Sequence, residues 1–360
     1  MTRREVLSVT IVALALSGLS TVAQANPQAS GFDWADRSTG TDEQFRGLSA
    51  LGDRTAWISG EKGGVMRTSD GGRTWKDVSP KTARTDELAL RDIQAWDSRT
   101  AVALSIGPGE DSRIFRTDNG GKTWRETFRN TDESAFFNCI AFNRNGTGLA
   151  VSDPVDGKFR ILRSTNKGKS WKVLPTKGMP AAIDPEFNFA ASGTCLVSAA
   201  QQSGRTKDNF WMVSGGVSPR VFHTKDAGNT WAAHTTQIRG GEAAGIYSAA
   251  FKNSREGVIV GGDYTAAEDG SDAAATSRDG GSTWTLSRKP VGGYRSGVAY
   301  DPRNGRTLLA VGPTGSDVSR DGGQTWRTFD TTAYDGVQCT KRGACWASGP
   351  NGAVGVLKRR

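Results

Sequence analysis

Histidine is almost missing from this chain: His223 and His234 are the two imidazoles in 360 residues. A Ser-His-Asp triad or a histidine-rich zinc centre needs imidazole at the heart of a site. These two flank a repeated turn phrase, on strands expected at the outer edge of the fold. No glycine fingerprint sits between a strand and a helix, which removes a dinucleotide-binding oxidoreductase. No EF-hand loop pattern marks a calcium site, and neither a cofactor nor a metal is expected. Apolar runs of helical period are absent. Beyond the N-terminus no stretch approaches the roughly 20 apolar residues that span a bilayer. The formal net charge is +9 without any block of Lys and Arg, so nucleic acid is not the expected partner, although the bias favours anionic ligands.

What the chain has in quantity is repetition. One eight-residue phrase returns as TSDGGRTW (Thr68 to Trp75), TDNGGKTW (Thr117 to Trp124), STNKGKSW (Ser164 to Trp171), TKDAGNTW (Thr224 to Trp231), SRDGGSTW (Ser277 to Trp284) and SRDGGQTW (Ser319 to Trp326). Recurrence at roughly 50-residue intervals signals a repeat architecture. Asp70, Asn119, Asn166, Asp226, Asp279 and Asp321 supply a side-chain acceptor for backbone N–H groups two residues on. The following Gly or small residue takes positive φ, and the phrase becomes a tight turn between strands. The closing Trp starts the next strand and covers the turn. Six-fold recurrence makes these residues architecture rather than chemistry.

These phrases resemble the Asp-box, or bacterial neuraminidase repeat, of sialidases, sortilin-type receptors and photosystem II assembly-factor propellers. SDPVDGKF (Ser152 to Phe159), FAASGTC (Phe189 to Cys195), GGDY (Gly261 to Tyr264) and GYRSGV (Gly293 to Val298) look like those of an exported bacterial family resembling photosystem II assembly factors. The resemblance implies an all-β, seven-bladed β-propeller, and it leaves activity open because fold and function separate.

Each repeat reads as four short strands, A to D, with the Asp-box at the C-to-D turn. Inner A strands begin at Phe45 and near Leu90, Asn138, Asn188, Ile246 and Tyr294. Three strands at the C-terminus (Gly336 to Cys339, Cys345 to Ser348, Ala353 to Leu357) lack a fourth. Phe32 to Asp36 supplies it, closing the ring so that no sheet edge stays open. Residues 199 to 209 are an insertion in the fourth blade. Trp57, Trp96, Trp211 and Trp346 fall where blade packing buries them. Residues 1 to 25, with Arg3 and Arg4 before an apolar stretch and Ala23-Gln24-Ala25, read as a signal peptide of ordinary secretory or twin-arginine type. Residues 26 to 360 form one domain, a monomer, secreted or periplasmic. Cys339 and Cys345 fall on two strands of one hairpin, which suits a disulfide. Cys139 and Cys195 remain, as a second bridge or as two buried thiols.

D-to-A and B-to-C connections share one mouth of a propeller channel, so residues at the start of strand A or the end of strand B converge there. Applied to this chain, that filter returns Arg46, Arg91 with Asp92, Asn138, Lys158, Arg220, Tyr294 with Arg295, and Asp317 as ligand-binding candidates. Two functions follow. One is a non-catalytic binding or assembly module that grips a peptide, protein or anionic ligand through forked arginine donors. The other is a glycoside hydrolase using Asp153, Asp156, Glu186, Asp263 or Tyr264, since two carboxylates or a Tyr nucleophile with an acid can cleave glycosides. Against strict sialidase identity, Phe45-Arg46-Gly47 stands where Phe-Arg-Ile-Pro is expected.

Overall fold

The computed structural model describes residues 31–198 and 208–360. The expected signal peptide and most of the fourth-blade insertion lie outside them. Seven antiparallel sheets form a ring. The first blade runs Phe45–Ala50, Ala56–Gly60, Val65–Thr68 and Lys76–Asp77 from the channel outward. The second and third repeat that order from Leu90–Ala95 and Phe137–Phe142, and the sixth from Gly297–Tyr300. Inner and middle strands bury nearly every residue because both faces of each blade pack on neighbours, while the outermost strand is exposed. A single helical turn, Lys81–Thr85, interrupts the link between the first two blades.

Ring closure follows the expected pairing. Phe32–Asp36 pairs antiparallel with Val354–Arg359, setting Trp34 opposite Leu357. The Trp34 ring packs on Tyr334 and Phe329, with centroids 5.6 and 6.0 Å away. Its Nε1 donates to Ser316 Oγ of the sixth blade at 2.9 Å. One side chain therefore ties the first described strand to two blades that end the chain.

The repeated turns work by a longer reach than the two-residue one expected. Asp70 Oδ1 accepts from the backbone N–H of Thr74, four residues on, at 3.0 Å, while Oδ2 accepts from the Thr74 hydroxyl at 2.6 Å. Thr68 Oγ1 accepts from Gly72 N–H. Asn119, Asn166, Asp226, Asp279 and Asp321 all make the same four-residue bond. Gly71 and Gly72 sit at φ near +80°, a region glycine enters without the Cβ penalty. Trp124 and Trp75 then reach outside their own turns, donating to Val78 O and Arg37 O. Trp57, Trp211 and Trp346 are fully buried as expected, whereas Trp96 is half-buried against Phe142.

Two inner strands begin later than the sequence implies. In the fourth blade the strand is Leu196–Ser198 rather than one from Asn188. The backbone N–H of Asn188 is captured by Asp153 and its side chain by Val213 O, which holds residues 188–195 as an irregular crossing over the channel. Glu186–Phe187 joins Gly215–Gly216 and extends the fifth sheet to six strands. In the sixth blade Tyr294 and Arg295 precede the strand; Tyr294 lines the mouth, while Arg295 turns inward onto Asp317. Both cysteine pairs are disulfides: Cys139–Cys195 joins the inner parts of the third and fourth blades, and Cys339–Cys345 closes the first hairpin of the seventh.

Replacing Trp34 by Ala removes the largest apolar side chain of the closing strand and leaves a cavity, at a cost of about 3–5 kcal/mol. Urea unfolding of Trp34→Ala should show that loss. An unchanged midpoint would mean that the closing strand contributes little to the ring.

Candidate functional site

In four blades the inner strand carries a bulge at the same place. Phe45 pairs with Gly60 and Gly47 with Ser59, which leaves Arg46 unpaired between them. Arg91, Asn138 and Tyr247 occupy the equivalent slot in the second, third and fifth blades. An extra residue in a bulge re-aims its side chain. Here three of the four, Arg46, Arg91 and Tyr247, line one cavity of about 610 Å³ at the channel mouth.

The polar half of that cavity is an ion-pair cluster. Glu61 Oε1 accepts from Arg46 Nε at 2.8 Å and from Arg91 Nη2 at 2.9 Å. Asp335 takes Arg46 Nη1 at 3.1 Å and the Gln44 amide at 2.8 Å. The 188–195 crossing offers carbonyls, Ala191 O to Arg46 and Ala190 O to Arg91. Burial opposes the Arg46 charge, yet Asp335 and then Glu61 outweigh it and hold its pKa above the usual guanidinium value. Arg91 fares differently. Burial, and then repulsion from Arg46, bring it down to about 10, and its Nε is buried without a hydrogen-bond partner. The pair therefore carries one well-compensated cation and one under-compensated cation.

The other half is aromatic. Phe189 stacks on Tyr247 with ring centroids 3.8 Å apart, and Tyr294 meets Tyr247 edge-on at 4.6 Å. Tyr264 stands at the rim, 55% exposed. Burial pushes the Tyr247 and Tyr294 hydroxyls up, so both stay neutral hydrogen-bonding groups at physiological pH.

The remaining candidates go elsewhere. Arg295 and Asp317 form a fully buried pair, 2.7 Å apart, with Asp317 also held by Thr328 and Gly292. Arg220 is closed onto Glu186, whose carboxylate also accepts from Ser214 and Ile183. Both arginines are internal braces. Asp153 accepts from Asn138 and from Asn188 N–H, and burial pushes it up to about 7. Asp156 and Gly157, at φ +53° and +73°, are the two-residue turn of a hairpin rather than part of a long connection, and Lys158 donates to Thr176 O. Asp263 caps its own turn through Thr265, whose hydroxyl outweighs burial and lowers its pKa. None of these carboxylates lines the mouth cavity.

Asp92 is a stitch between blades: its carboxylate accepts from Ile140 N–H at 2.7 Å. Gly193 packs so close that a Cβ there would meet Asp92 Oδ1 at 2.4 Å, which explains the glycine of the FAASGTC phrase.

Glu61, Asp335, Gln44, Phe189, Tyr247 and Tyr334 also belong to the mouth or its ion pairs but were not among the residues expected there. Most carried a signal, Tyr247 by directly following Ile246, where an inner strand was expected to begin. Glu61 follows directly on Ala56–Gly60, and Gln44 and Asp335 directly precede Phe45–Ala50 and Gly336–Cys339, the positions the filter selects. Phe189 follows Asn188, where the fourth inner strand was expected to begin, but it reaches the mouth from the irregular crossing instead.

Burial raises Asp92 to about 8 from its ordinary 3.8. The folded protein thus binds a proton that the unfolded chain releases above about pH 4, and Asp92 subtracts stability as pH rises from there to about 8. Asp92→Asn should gain stability relative to the parent progressively across that window in urea titrations. An identical pH slope in both proteins would refute a buried, proton-binding Asp92.

No protein-family model matches the chain, and no curated protein sequence matches it. Solved structures do. YCF48 bound to D1 peptide aligns with a TM-score of 0.60 at 15% identity, over 93% of this chain and 97% of that one. YCF48 from Cyanidioschyzon merolae gives 0.59 at 18%, over 91% and 98%. The WD40 propeller domain of Doa1 gives 0.58 at 10%, over 92% and 98%. At such identities the likeness is one of fold: the chain is a seven-bladed β-propeller similar in architecture to YCF48.

Proposed function

We propose that this protein is a non-catalytic binding module of the assembly-factor type, which holds a peptide segment of a partner protein at the Arg46–Arg91–Tyr247 mouth. The observation that carries this reading is the pairing of an under-compensated Arg91 with an aromatic wall in one cavity. A carboxylate entering beside Arg91 relieves its repulsion from Arg46, and an apolar or aromatic side chain packs on Phe189, Tyr247 and Tyr264. The likeness to YCF48 bound to D1 peptide supports a peptide as the ligand class.

The glycoside hydrolase reading draws no comparable support. Asp335, the carboxylate lining the cavity, is held by Arg46 and Gln44, and burial, the largest influence on it, raises its pKa. Glu61 is shared between two arginines. Neither is a poised acid facing a free carboxylate nucleophile. The two disulfides support an oxidising, extracytoplasmic setting, in line with the leader that residues 1 to 25 suggest.

A peptide library should yield binders that lose about tenfold or more in affinity on Arg91→Ala or Tyr264→Ala, the scale of one central contact. Aryl-glycosides should not turn over. Binders indifferent to both substitutions, or glycoside turnover abolished by Asp335→Asn, would overturn the proposal.

A further inference from the structure

The channel has a second mouth, whose charged lining residues are all cations. Inner strands run from one opening to the other, so residues four or five positions past Arg46 and Arg91 lie roughly 15 Å away at the far end. Two cavities open there, of about 630 and 330 Å³. They share Gln338, Cys339 and Lys341, and together draw on the ends of inner strands and their turns from all seven blades.

Among the described residues no Asp or Glu lines either cavity. Arg144, Lys252, Lys341 and Arg342 do. Lys252 is paired with Glu256, and the nearby Asp301 is engaged by Arg359. Arg144, Lys341 and Arg342 are exposed on turns and have no carboxylate partner among the described residues. At the first mouth each arginine has an acid at hydrogen-bond distance; at this one Lys252 has one, while Arg144, Lys341 and Arg342 have none among the described residues.

Two further features make the patch more than a solvated basic surface. Its floor is apolar, with Val197, Val298, Val337 and Ala249 at the base of the smaller cavity, and Leu51 and Trp96 lining the larger. The turn carrying Lys341 and Arg342 is closed at its base by the Cys339–Cys345 disulfide, so both cations project from a covalently fixed hairpin. A fixed cation loses less freedom on engaging an anion than one on an open loop.

We propose that this far mouth is a second docking site, for an acidic peptide segment of a partner protein. Its Asp or Glu side chains engage Arg144, Lys341 and Arg342, and an apolar side chain between them enters the cavity. Concavity selects the occupant: a flat layer of anionic headgroups would touch the rim and leave the floor empty, whereas an extended segment fills both. The site stands apart from the first mouth, and its test is independent of that reading.

The probe is a fluorescein-labelled dodecapeptide of alternating glutamate and leucine pairs, followed by fluorescence anisotropy against the whole protein. Saturable binding is expected, weaker by about tenfold or more in the Lys341→Glu/Arg342→Glu variant and in Arg144→Glu, because removing rim charges and adding like charge costs on that scale. Replacing the glutamates by glutamine, or the leucines by serine, should weaken binding comparably, and raising salt should weaken the glutamate peptide most. In an Arg91→Ala/Tyr264→Ala background, which disables the first mouth, saturable binding should persist and still fall on the Lys341→Glu/Arg342→Glu reversal, which separates this site from the first mouth. Because the reversed residues are exposed, their thermal unfolding should match the parent, and Lys341→Gln/Arg342→Gln gives a milder variant that must still lose affinity. No saturable binding, equal binding of the glutamine peptide, or indifference to the reversals would overturn the proposal. So would charge-sensitive binding to phosphatidylglycerol vesicles without binding of the peptide.

Discussion

Everything at the channel depends on a backbone irregularity: the single unpaired residue in the inner strand of four blades. A regular strand alternates its side chains between two faces, and in a propeller blade both faces are packed against neighbours. A bulky cation at such a position would be buried without water. The bulge releases Arg46, Arg91, Asn138 and Tyr247 from that alternation while Phe45, Leu90, Phe137 and Ile246 stay in the core. Three separate stretches of sequence can thus present Arg46, Arg91 and Tyr247 to one opening without surrendering the apolar residues that hold their blades together.

Ring closure sets how well that opening is defined. The cluster joins Arg46 of the first blade, Arg91 of the second and Asp335 at the start of the seventh. Its contacts span the seam where Phe32–Asp36 completes the last sheet. Beneath it, Asp92 bonds the third blade and packs against Gly193 of the crossing segment, and the Cys139–Cys195 bridge fixes that segment to the third blade. Electrostatic order at the mouth is inherited from these seams between blades, since Arg46 reaches Asp335 of the seventh blade and Arg91 reaches Glu61 of the first.

Much of the architecture was legible because the repeated phrase solves a local problem and recurs unchanged. Asp70 and its five counterparts mark every turn they were expected to mark, although the bond reaches four residues rather than two. The orphan strand at Phe32 found its partner because an unfilled sheet edge is costly. The site was legible only where position along a strand decided the outcome, as for Arg46, Arg91 and Tyr294. Arg220, Arg295 and Asp317 passed the same positional filter, yet each is consumed by a partner distant in sequence. Strand position says which opening a residue is near; it does not say whether a counter-charge will reach it first. The crossing at 188–195 was illegible for a related reason, since its path is dictated by Asp153 and Val213 rather than by its own composition.

The repeated turns satisfy their own polar groups: the carboxylate or amide, the leading hydroxyl and the backbone N–H groups they serve all lie within eight residues. Such a unit makes few demands on its surroundings and can be copied along a gene without retuning whatever stands beside it. Repeat length varies instead in the segments between the phrases, the 199–209 insertion among them. A turn that carries its own partners leaves the strands and links around it free to differ from blade to blade, as the inner strands of the seven blades do.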